Sequence, residues 1–370
     1  MQRNKNFWDL KITWRHFTQQ RFAAWRRAQG LSRNNLAPFL VCAWFSYLAV
    51  LGCKSSNPGQ DLQTLRIGWQ VAVAPQAQIA QVFAHTDILQ QNGFAGSLRS
   101  FSYGSPEVDA AMAGELDVFF CGDQPTVNLL ARGAPWKIIA RFARVRGALM
   151  VPPGSGIAAI ADLRQKRVAL PFGSVVHRDL IFAEKAAQLR PGADVTNINL
   201  DILEIAALVQ RRGVQSWDNI DAIGLWDPSV TLFERAKLAR PVQEFPYVNL
   251  VVMSEKALAK SSTSGARFLK AAAQAWHYFL LHREEVNSWY RQATGLSFDS
   301  DVLRQVNRWD PNDAAETLEQ IDLAVSQRER DSIERSKEWA CANGLCRRTS
   351  DIPDAVDASV WLEARRLLVK

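Results

Sequence analysis

The hydrophobic pattern of the chain changes period twice between residues 104 and 133. Apolar residues first recur at helical spacing up to Gly114, and a continuous apolar run at 116–120 then predicts a short strand buried on both faces. The turn at 121–125 leads into a second segment of helical spacing. In open α/β sheets, ligands bind beyond the carboxyl ends of the strands, where the start of a helix presents free N–H groups. We therefore expect this turn to face a ligand.

The same order of elements recurs about a hundred residues later. A helical segment at 204–212 ends at Gly213, an apolar segment at 220–225 predicts a strand, and the sequence Trp226-Asp227-Pro228 opens another helix. Two copies of one unit favour two α/β lobes, each of which presents the start of a helix to a shared cleft. The alternative is two unrelated strand-to-helix turns, because Asp and Pro are common at helix starts in general.

The rest of the chain continues the α/β pattern. A third strand-to-helix junction lies at 171–177, where Ser174 and His177 supply polar side chains. From Ser254 onward, helical spacing dominates. The other predicted strands are 65–69, 98–103, 136–145, 166–170, 198–203 and 247–253, and the other predicted helices are 76–89 and 178–189.

The first fifty or so residues have the pattern of an export signal. Residues 36–51 carry no charge, which is short for a membrane span of about 20 residues but typical of a signal peptide behind a positive region. The segment ends at Gly52-Cys53 and resembles a bacterial lipoprotein signal, in which the cysteine is lipidated and becomes the first residue. The alternative is an uncleaved N-terminal anchor. Either reading predicts a protein tethered to a membrane outside the cytoplasm.

The net charge of +7 lies in this leader. Residues 1–52 hold eight basic residues and one acidic residue, and the remainder holds 36 of each. A body with balanced charge has no electrostatic preference for a phosphate backbone, so we expect no nucleic-acid partner. The length of 370 residues allows two domains or one large one with ample core.

Three cysteines remain for the body of the protein. Cys341 and Cys346 flank a ready Asn-Gly turn, and in an oxidising compartment a local disulfide between them is plausible. A metal site is less favoured, because no His or further Cys lies nearby in sequence. Cys121 ends an apolar strand and is interpreted as a small core residue rather than a nucleophile.

Several segments, taken in order, resemble those of the periplasmic solute-binding proteins of ABC importers of the nitrate, sulfonate and taurine class. The likeness covers about residues 62–290. It implies an α/β fold of the type II periplasmic-binding kind, with two lobes, a ligand cleft between them and a helical C-terminal segment. The segments that carry it are 65–68, 114–117, 121–125, 162–169, 172–174, 221–222 and 226–228.

The resemblance also implies a domain organisation. The chain is expected to pass from the first lobe to the second near Arg146 and to return before the helical tail. The predicted divisions are a signal peptide at 1–52, a linker at 53–63, the first part of lobe 1 at 64–146, lobe 2 at 147–252, and the completion of lobe 1 with the tail at 253–370.

The implied function is capture of a small solute by hinge closure and its delivery to an ABC permease and ATPase, with no bond made or broken. The protein is expected to act as a lipid-anchored periplasmic monomer without cofactor or metal. A small organosulfonate, such as taurine or an alkanesulfonate, is the preferred ligand. Nitrate and a pyrimidine precursor of thiamine are the alternatives.

The predicted ligand contacts follow from mapping the family's cleft onto this chain. Asp123 and Asp227 are most simply N-caps of their own helices; a carboxylate facing the cleft would oppose a bare anion and favour a solute with an amine. His177 is the preferred contact; alternatively, its side chain is exposed in the first turn of its helix and contacts no solute. Trp226 could enclose the solute or pack in the core. The full set is Gln70, Val71, Gly122, Asp123, Gln124, Ser174, His177, Trp226 and Asp227.

Two other classes of function compete with a binding protein. An enzyme would need a positioned nucleophile and base or a set of metal ligands, and the sequence contains no Gly-x-Ser-x-Gly, His-Glu-x-x-His or phosphate-binding glycine loop. A sensory lipoprotein could use the same fold. A permease gene adjacent to this one would separate the importer from the sensor, and turnover of a bound solute would separate the binder from the enzyme.

Overall fold

The computed structural model describes residues 62–346 and 351–369. The predicted signal peptide, Cys53 and nearly all of the predicted linker lie outside the described residues. Within those two ranges, no helix combines the length and the apolar character that a membrane crossing requires.

Eight strands form one mixed sheet in the described chain. They are β1 (Gln63–Gln70), β2 (Phe94–Phe101), β3 (Val118–Gly122), β4 (Trp136–Val151), β5 (Arg167–Leu170), β6 (Thr196–Asn199), β7 (Ala222–Trp226) and β8 (Arg240–Ser254). Their order across the sheet is β2-β1-β3-β8-β4-β7-β5-β6. The pairs β1–β2, β1–β3, β5–β6 and β5–β7 are parallel. The two central strands, β4 and β8, are antiparallel to each other and to their outer neighbours.

Helices connect and cover the strands. They are α1 (Ala74–His85), α2 (Ile88–Gln91), α3 (Gly104–Met112), α4 (Asp123–Ala131), α5 (Val175–Ala186), α6 (Ile202–Arg212), α7 (Ser229–Arg235), α8 (Glu255–Leu258), α9 (Ser264–Leu281), α10 (Arg283–Thr294), α11 (Ser300–Asn307), α12 (Gln327–Ala342), α13 (Asp351–Asp354) and α14 (Ser359–Leu368). Three short 3₁₀ turns lie at Ile160–Leu163, Pro311–Ala314 and Leu318–Gln320.

The buried apolar side chains separate into clusters that define two lobes. On β3, Phe120 points into a cluster with α1 and α9, while its neighbours Phe119 and Cys121 point into a cluster with α3, α4 and α12, because successive side chains of a strand face opposite sides. We call this half, with β1, β2 and β3, lobe 1. A separate cluster covers β5, β6 and β7, and we call that half lobe 2. The predicted two-lobed α/β fold is thereby confirmed.

Both lobes share the long strands β4 and β8. Along β4, the core side chains change from the lobe 1 cluster at Ala143 to the lobe 2 cluster at Val145, and along β8 the change falls between Tyr247 and Val248. The chain therefore crosses between the lobes within two adjacent strands, close to the predicted crossing at Arg146. The residue limits of the lobes remain predictions.

Several predicted elements have different bounds in the structure. The segment 198–203 is not one strand: β6 ends at Asn199, and the Asp201 side chain accepts a hydrogen bond from Leu203 N at 2.8 Å to begin α6. The helical spacing of the apolar residues after Asp201 outweighs the β-branched character that favoured a strand. Likewise, β4 continues past 145 to Val151, because β7 and β8 pair with its second half.

The predicted helix at 76–89 is also divided. Helix α1 starts earlier, with Pro75 in its first turn, and ends at His85. The Thr86 hydroxyl then donates a hydrogen bond to Val82 O at 2.7 Å, and α2 follows separately. The strand predicted at 98–103 is β2, displaced toward the N-terminus, and the tail after Ser254 includes extended and 3₁₀ segments between α10 and α12.

Candidate ligand-binding site

Three strand ends and one helix start meet between the lobes. Gln70 ends β1, Gly122 ends β3 and Trp226 ends β7, while Ser174 is the N-cap of α5. These four residues line a cavity of about 20 Å³, room for about one water molecule. The structure thus brings together four of the predicted ligand contacts. The lining is completed by Gly104, Pro125, Val175, Tyr247 and Asn249.

Asn249, on β8, carries an unpaired donor at this cavity. Its Oδ1 accepts a hydrogen bond from Gln76 Nε2 at 3.1 Å, and Gln76 Oε1 accepts one from Gln70 N at 2.8 Å. Asn249 Nδ2 is buried without a hydrogen-bond partner among the described residues. A buried donor without a partner is unfavourable by about 1–3 kcal/mol. An oxygen of a bound solute would satisfy it.

A hydrogen bond to a buried glutamate fixes the position of the Gln70 side chain. Gln70 Nε2 donates to Glu107 Oε2 at 2.7 Å, and Glu107, in α3, has no solvent exposure. Burial raises the pKa of Glu107 to about 8, because a carboxylate loses its hydration in the protein interior. At neutral pH the Glu107 carboxyl is therefore mostly uncharged, and it adds little negative charge behind the cavity.

Cys121 lies beside this pair, with its thiol buried. Its Sγ is 3.4 Å from Gln70 Nε2, and the residue is fully buried. Burial, together with the neighbouring Glu107, raises the pKa of the thiol well above its ordinary value. The thiolate is the nucleophilic form of cysteine, so this geometry matches the interpretation of Cys121 as a core residue.

Trp226 closes the lobe 2 side of the cavity. Its indole Nε1 donates to Ala72 O, in lobe 1, at 3.1 Å. The ring thus forms a wall of the cavity and a direct contact between the lobes.

Ser174 and His177 serve the first turn of α5. Ser174 Oγ accepts from His177 N at 3.2 Å, and His177 Nδ1 accepts from Gly173 N at 3.2 Å. Gly173 has a φ of 74°, in the left-handed region that favours glycine. The His177 ring stacks on Phe172, with ring centroids 4.4 Å apart, and does not line the cavity.

The electrostatic state of His177 follows from this packing. The ring also meets Trp339 of α12 edge-on at 5.7 Å. Burial lowers the pKa of His177 to about 4, so the imidazole is neutral at pH 7. A neutral ring enclosed by two aromatic side chains offers no charge to an anion, and its predicted contact with the solute remains a prediction.

Asp123, at the start of α4, is buried and fully partnered. It forms an ion pair with Arg178 of α5 at 3.2 Å, and neither side chain is exposed. Its Oδ1 accepts from Gln124 N at 2.8 Å, and its Oδ2 accepts from the Ser332 hydroxyl of α12. The ion pair joins lobe 1 to lobe 2. Asp123 therefore points away from the cavity, toward α12.

Asp227 has the geometry of a helix cap. Its Oδ1 accepts from Thr231 N at 2.8 Å and from Thr231 Oγ1 at 2.7 Å, both in α7. Its Oδ2 lies 3.4 Å from Arg146 Nε. Both carboxylates that could have opposed an anion are thus occupied by arginines.

Two further predicted contacts lie away from the cavity. Gln124 Nε2 donates to Asn128 Oδ1 at 2.8 Å, next to α12. The Val71 side chain packs on the lobe 1 core, and Val71 O accepts from Tyr290 OH at 2.9 Å. Their roles as ligand contacts remain predictions.

The lobes are closed on each other in this structure. Besides the ion pair and the Trp226 contact, the Ser105 hydroxyl donates to Phe172 O at 3.0 Å, and Ser102 donates to Asp201 Oδ2 at 2.7 Å. These contacts connect the strand ends of lobe 1 with loops of lobe 2. With these contacts formed, the cavity has room for about one water molecule, so a solute of the size of a sulfonate does not fit in it.

The two cysteines near the C-terminal end of α12 are bonded to each other. Cys341 and Cys346 are joined by a disulfide at the end of α12. In the described part of the chain, no cluster of three or more His, Cys, Asp or Glu side chains could hold a metal ion.

The sequence patterns did not indicate the residues that support the cavity lining through hydrogen bonds and ion pairs. Asn249 and Tyr247 lie in a strand recognised only as apolar, and Glu107 in a helix recognised only by its apolar face. Arg178 follows His177 directly, but nothing in the sequence indicated that its partner would be Asp123 in the other lobe. The contribution of α12 depends on tertiary contacts more than 150 residues apart in sequence.

Comparison with known proteins supports this fold. No protein-family model matches the chain. The chain is 26% identical over 204 residues to the taurine-binding periplasmic protein of Escherichia coli, covering 55% of this chain and 57% of that one. It is 28% identical over 171 residues to a putative aliphatic sulfonates-binding protein of the same organism, covering 45% and 50%. The matches thus span about half the length of these curated relatives.

Solved structures extend the likeness over most of the chain. The alkanesulfonate-binding protein SsuA of Xanthomonas axonopodis pv. citri, bound to MOPS, superposes with a TM-score of 0.64 at 19% identity over 80% of this chain and 99% of that one. The desulfurization enzyme DSZB, as a mutant in complex with biphenyl-2-sulfinic acid, has a TM-score of 0.61 at 15% identity over 82% and 99%. The chain has the fold of the periplasmic binding proteins, and enzymes occur on a related fold.

Proposed function

We propose that this chain is the solute-binding component of an ABC importer and that it captures a small organosulfonate between its two lobes. The observation that carries the proposal is the cavity at the strand ends, where Asn249 Nδ2 has no partner among the described residues and both nearby carboxylates are paired with arginines. Such a site suits a sulfonate oxygen as the missing acceptor. The names of the two curated relatives, one taurine-binding and one sulfonate-binding, agree with it.

Capture proceeds by hinge closure. The lobes part at the contacts made by Trp226 and Ser105, the solute enters, and the lobes close on it less far than in this structure, because the cavity here has room for about one water molecule. The hinge lies in β4 and β8, the two strands that both lobes share. The loaded protein then delivers the solute to a permease driven by an ATPase.

The proposed cellular location of the protein rests on its N-terminal leader at 1–52. In the proposal, Cys53 is lipidated and anchors a monomeric protein on the periplasmic side of a membrane. The relatives' periplasmic names support that compartment. No catalytic step is proposed, since the Cys121 thiol is buried and its pKa is raised well above its ordinary value.

The charged groups beside the cavity allow the candidate ligands to be ranked by expected affinity. Because Asp123 and Asp227 are already paired with Arg178 and Arg146, neither is free to receive the ammonium group of taurine. We therefore expect simple alkanesulfonates to bind more tightly than taurine, and nitrate and hydroxymethylpyrimidine to bind more weakly than either.

Calorimetric titration with these four kinds of solute tests the proposal. A matched variant is Gly122→Leu, because a Cβ at Gly122 would lie 3.0 Å from Val175 Cγ2 of the opposite lobe. The backbone at Gly122 has a φ of −60° and accepts any residue. We expect saturable binding of an alkanesulfonate to the wild type and none to the variant. Equal binding to both, or binding of nitrate alone, would contradict the proposal.

A further inference from the structure

A second and larger cavity adjoins the strand-end cavity at Tyr247. It encloses about 400 Å³ between β8, α5 and α12, within the range of about 300–1,000 Å³ typical of small-molecule sites. We call it the α12 groove. The Tyr247 side chain lines both this groove and the strand-end cavity of about 20 Å³. One side chain therefore stands between a space for about one water molecule and a space for an organic molecule.

The Tyr247 ring lies where the two lobes meet. Tyr247 belongs to the buried cluster of lobe 2, whereas the next residue, Val248, belongs to a cluster of lobe 1. On its lobe 1 side the ring lies against the end of β3, since Tyr247 Cε2 is 3.6 Å from the position that a Cβ on Gly122 would occupy. Gly122, Ser174 and Tyr247 line the same cavity, so a solute held between the first two meets this ring.

The unpaired donor of the cavity lies beside the ring. Asn249 is two positions from Tyr247 along β8, and side chains two apart on a strand lie on the same face. Both residues line the strand-end cavity. A solute whose oxygen accepts from Asn249 Nδ2 therefore has the Tyr247 ring as its neighbour.

Packing alone holds the Tyr247 ring in place. The residue is 8% exposed, and within the described part of the chain its hydroxyl has no hydrogen-bond partner, although buried tyrosine hydroxyls usually have one. Phenylalanine should consequently occupy the same position without the loss of a hydrogen bond. A smaller side chain would instead join the two spaces.

The charged residues of the α12 groove do not favour an anion. Its lining contains equal numbers of acidic and basic residues, namely Asp179, Glu244 and Glu329 against Arg144, Arg328 and Arg335. The groove therefore has no net charge with which to draw a sulfonate group away from the strand-end cavity.

Apolar groups lie among these charges. Phe182 of α5 is half-buried, Val248 of β8 is buried, and Pro246 of β8 is exposed, and all three line the groove. An alkyl chain carries no charge, and it gains affinity with each methylene group that such surfaces remove from water. The groove thus suits the uncharged end of a solute rather than its sulfonate group.

We propose that Tyr247 limits the length of the organic chain of the solute and that the protein accordingly selects short-chain sulfonates. This inference rests on the proposed import function. The sulfonate group stays at Asn249, whose Nδ2 lacks an acceptor among the described residues, and the organic chain extends toward the Tyr247 ring. The ring stops a longer chain, whereas without the ring the chain continues into the α12 groove.

The test measures the affinities of linear alkanesulfonates, from methanesulfonate to octanesulfonate, by isothermal titration calorimetry. For the wild type, we expect octanesulfonate to bind at least about tenfold more weakly than ethanesulfonate, because the longer chain is forced against the ring. For Tyr247→Ala, we expect the opposite order, because each methylene group buried in the groove raises the affinity about fourfold. Tyr247→Val removes less core volume, suits a strand and should give the same reversed order.

Two controls assign the effect to the ring and to the groove. Tyr247→Phe keeps the ring and should keep the wild-type order. Adding Phe182→Asp to Tyr247→Ala places a charge on the wall of the groove, and it should remove the gain of octanesulfonate while leaving ethanesulfonate unchanged. Thermal unfolding of each variant establishes that it is folded before its affinities are compared.

The outcomes separate this inference from the import proposal. If ethanesulfonate binds to the wild type but the order of chain lengths is the same in Tyr247→Ala and Tyr247→Val, the role of Tyr247 is overturned and the import proposal stands. A reversed order in Tyr247→Phe, or an octanesulfonate gain that survives Phe182→Asp, would have the same consequence. If no alkanesulfonate binds to the wild type or to any variant, the import proposal fails and this inference fails with it.

Discussion

Replacement of Glu107 by glutamine tests the buried support of the site. Glu107 Oε2 accepts from Gln70 Nε2 at 2.7 Å, and its Oε1 is buried without a partner in the described chain. Glutamine has nearly the same shape but cannot ionise. The substitution therefore removes one titration and leaves the packing of α3 in place.

The magnitude follows from the pKa. Burial raises the pKa of Glu107 from 4.5 to about 8 in the folded protein. Between those two values the folded state keeps the proton that the unfolded state releases, so this group lowers the free energy of unfolding as the pH rises. At about 1.4 kcal/mol for each unit of pKa, the loss reaches about 5 kcal/mol by pH 8. Glu107→Gln should lack this loss.

The assay is urea unfolding of both proteins at intervals from pH 5 to pH 9. The variant minus wild-type difference in unfolding free energy should increase by about 1.4 kcal/mol per pH unit up to about pH 8 and then level off. Taking the difference cancels the contribution of other buried groups, including His177. Gln210→Ala, at an exposed position of α6, is the control: it changes no titratable group, so its difference should not vary with pH.

A second readout connects Glu107 to the ligand. Above pH 8 the wild type gains a negative charge behind Gln70, and alkanesulfonate affinity should fall, whereas Glu107→Gln should keep its affinity. A stability difference that does not change between pH 5 and pH 8 would refute the reasoning, because Glu107 would then ionise at the same pH in both states.

Three further outcomes are expected. Asn249→Asp should reduce alkanesulfonate affinity at least about tenfold by exchanging a donor for a charge of the same sign as the ligand; unchanged affinity would remove Asn249 from the site. Arg178→Met should destabilise the fold by about 3–5 kcal/mol, because it leaves the Asp123 carboxylate buried and unpaired, and adding Asp123→Asn should restore much of that loss in thermal unfolding; no recovery would mean the pair is uncoupled. Reduction of the Cys341–Cys346 disulfide should cost no more than about 2 kcal/mol of unfolding free energy, because its loop is short; a larger loss would show that the bridge holds α12 in place.

The sequence contained enough information for the alternation of strands and helices and for the positions where strands end. The apolar run at 116–120 and the turn that follows it were recognised because a strand buried on both faces has few alternative readings. Gln70, Gly122, Ser174 and Trp226 each lie where a strand gives way to a loop or helix, which the pattern indicated, and the family resemblance assigned them to a cleft. The structure brings these four residues together, and their contact with a solute remains a prediction.

The supporting residues were not predictable from local pattern. Whether Asp123 faces a cleft or an arginine depends on where α5 lies, and Arg178 is 55 positions further along the chain. The same holds for α12, whose Ser332 and Ser336 reach across to Asp123 and Arg178. Such contacts are set by the packing of whole lobes, which the spacing of apolar residues does not specify.

A crystal structure of the protein grown with the tightest-binding alkanesulfonate would show whether a sulfonate is held between the lobes at the strand ends. Density for the sulfonate is expected between Gly122 and Ser174, with one of its oxygens accepting a hydrogen bond from Asn249 Nδ2. A sulfonate bound elsewhere, with the lobes closed and Asn249 Nδ2 still unpaired, would contradict it.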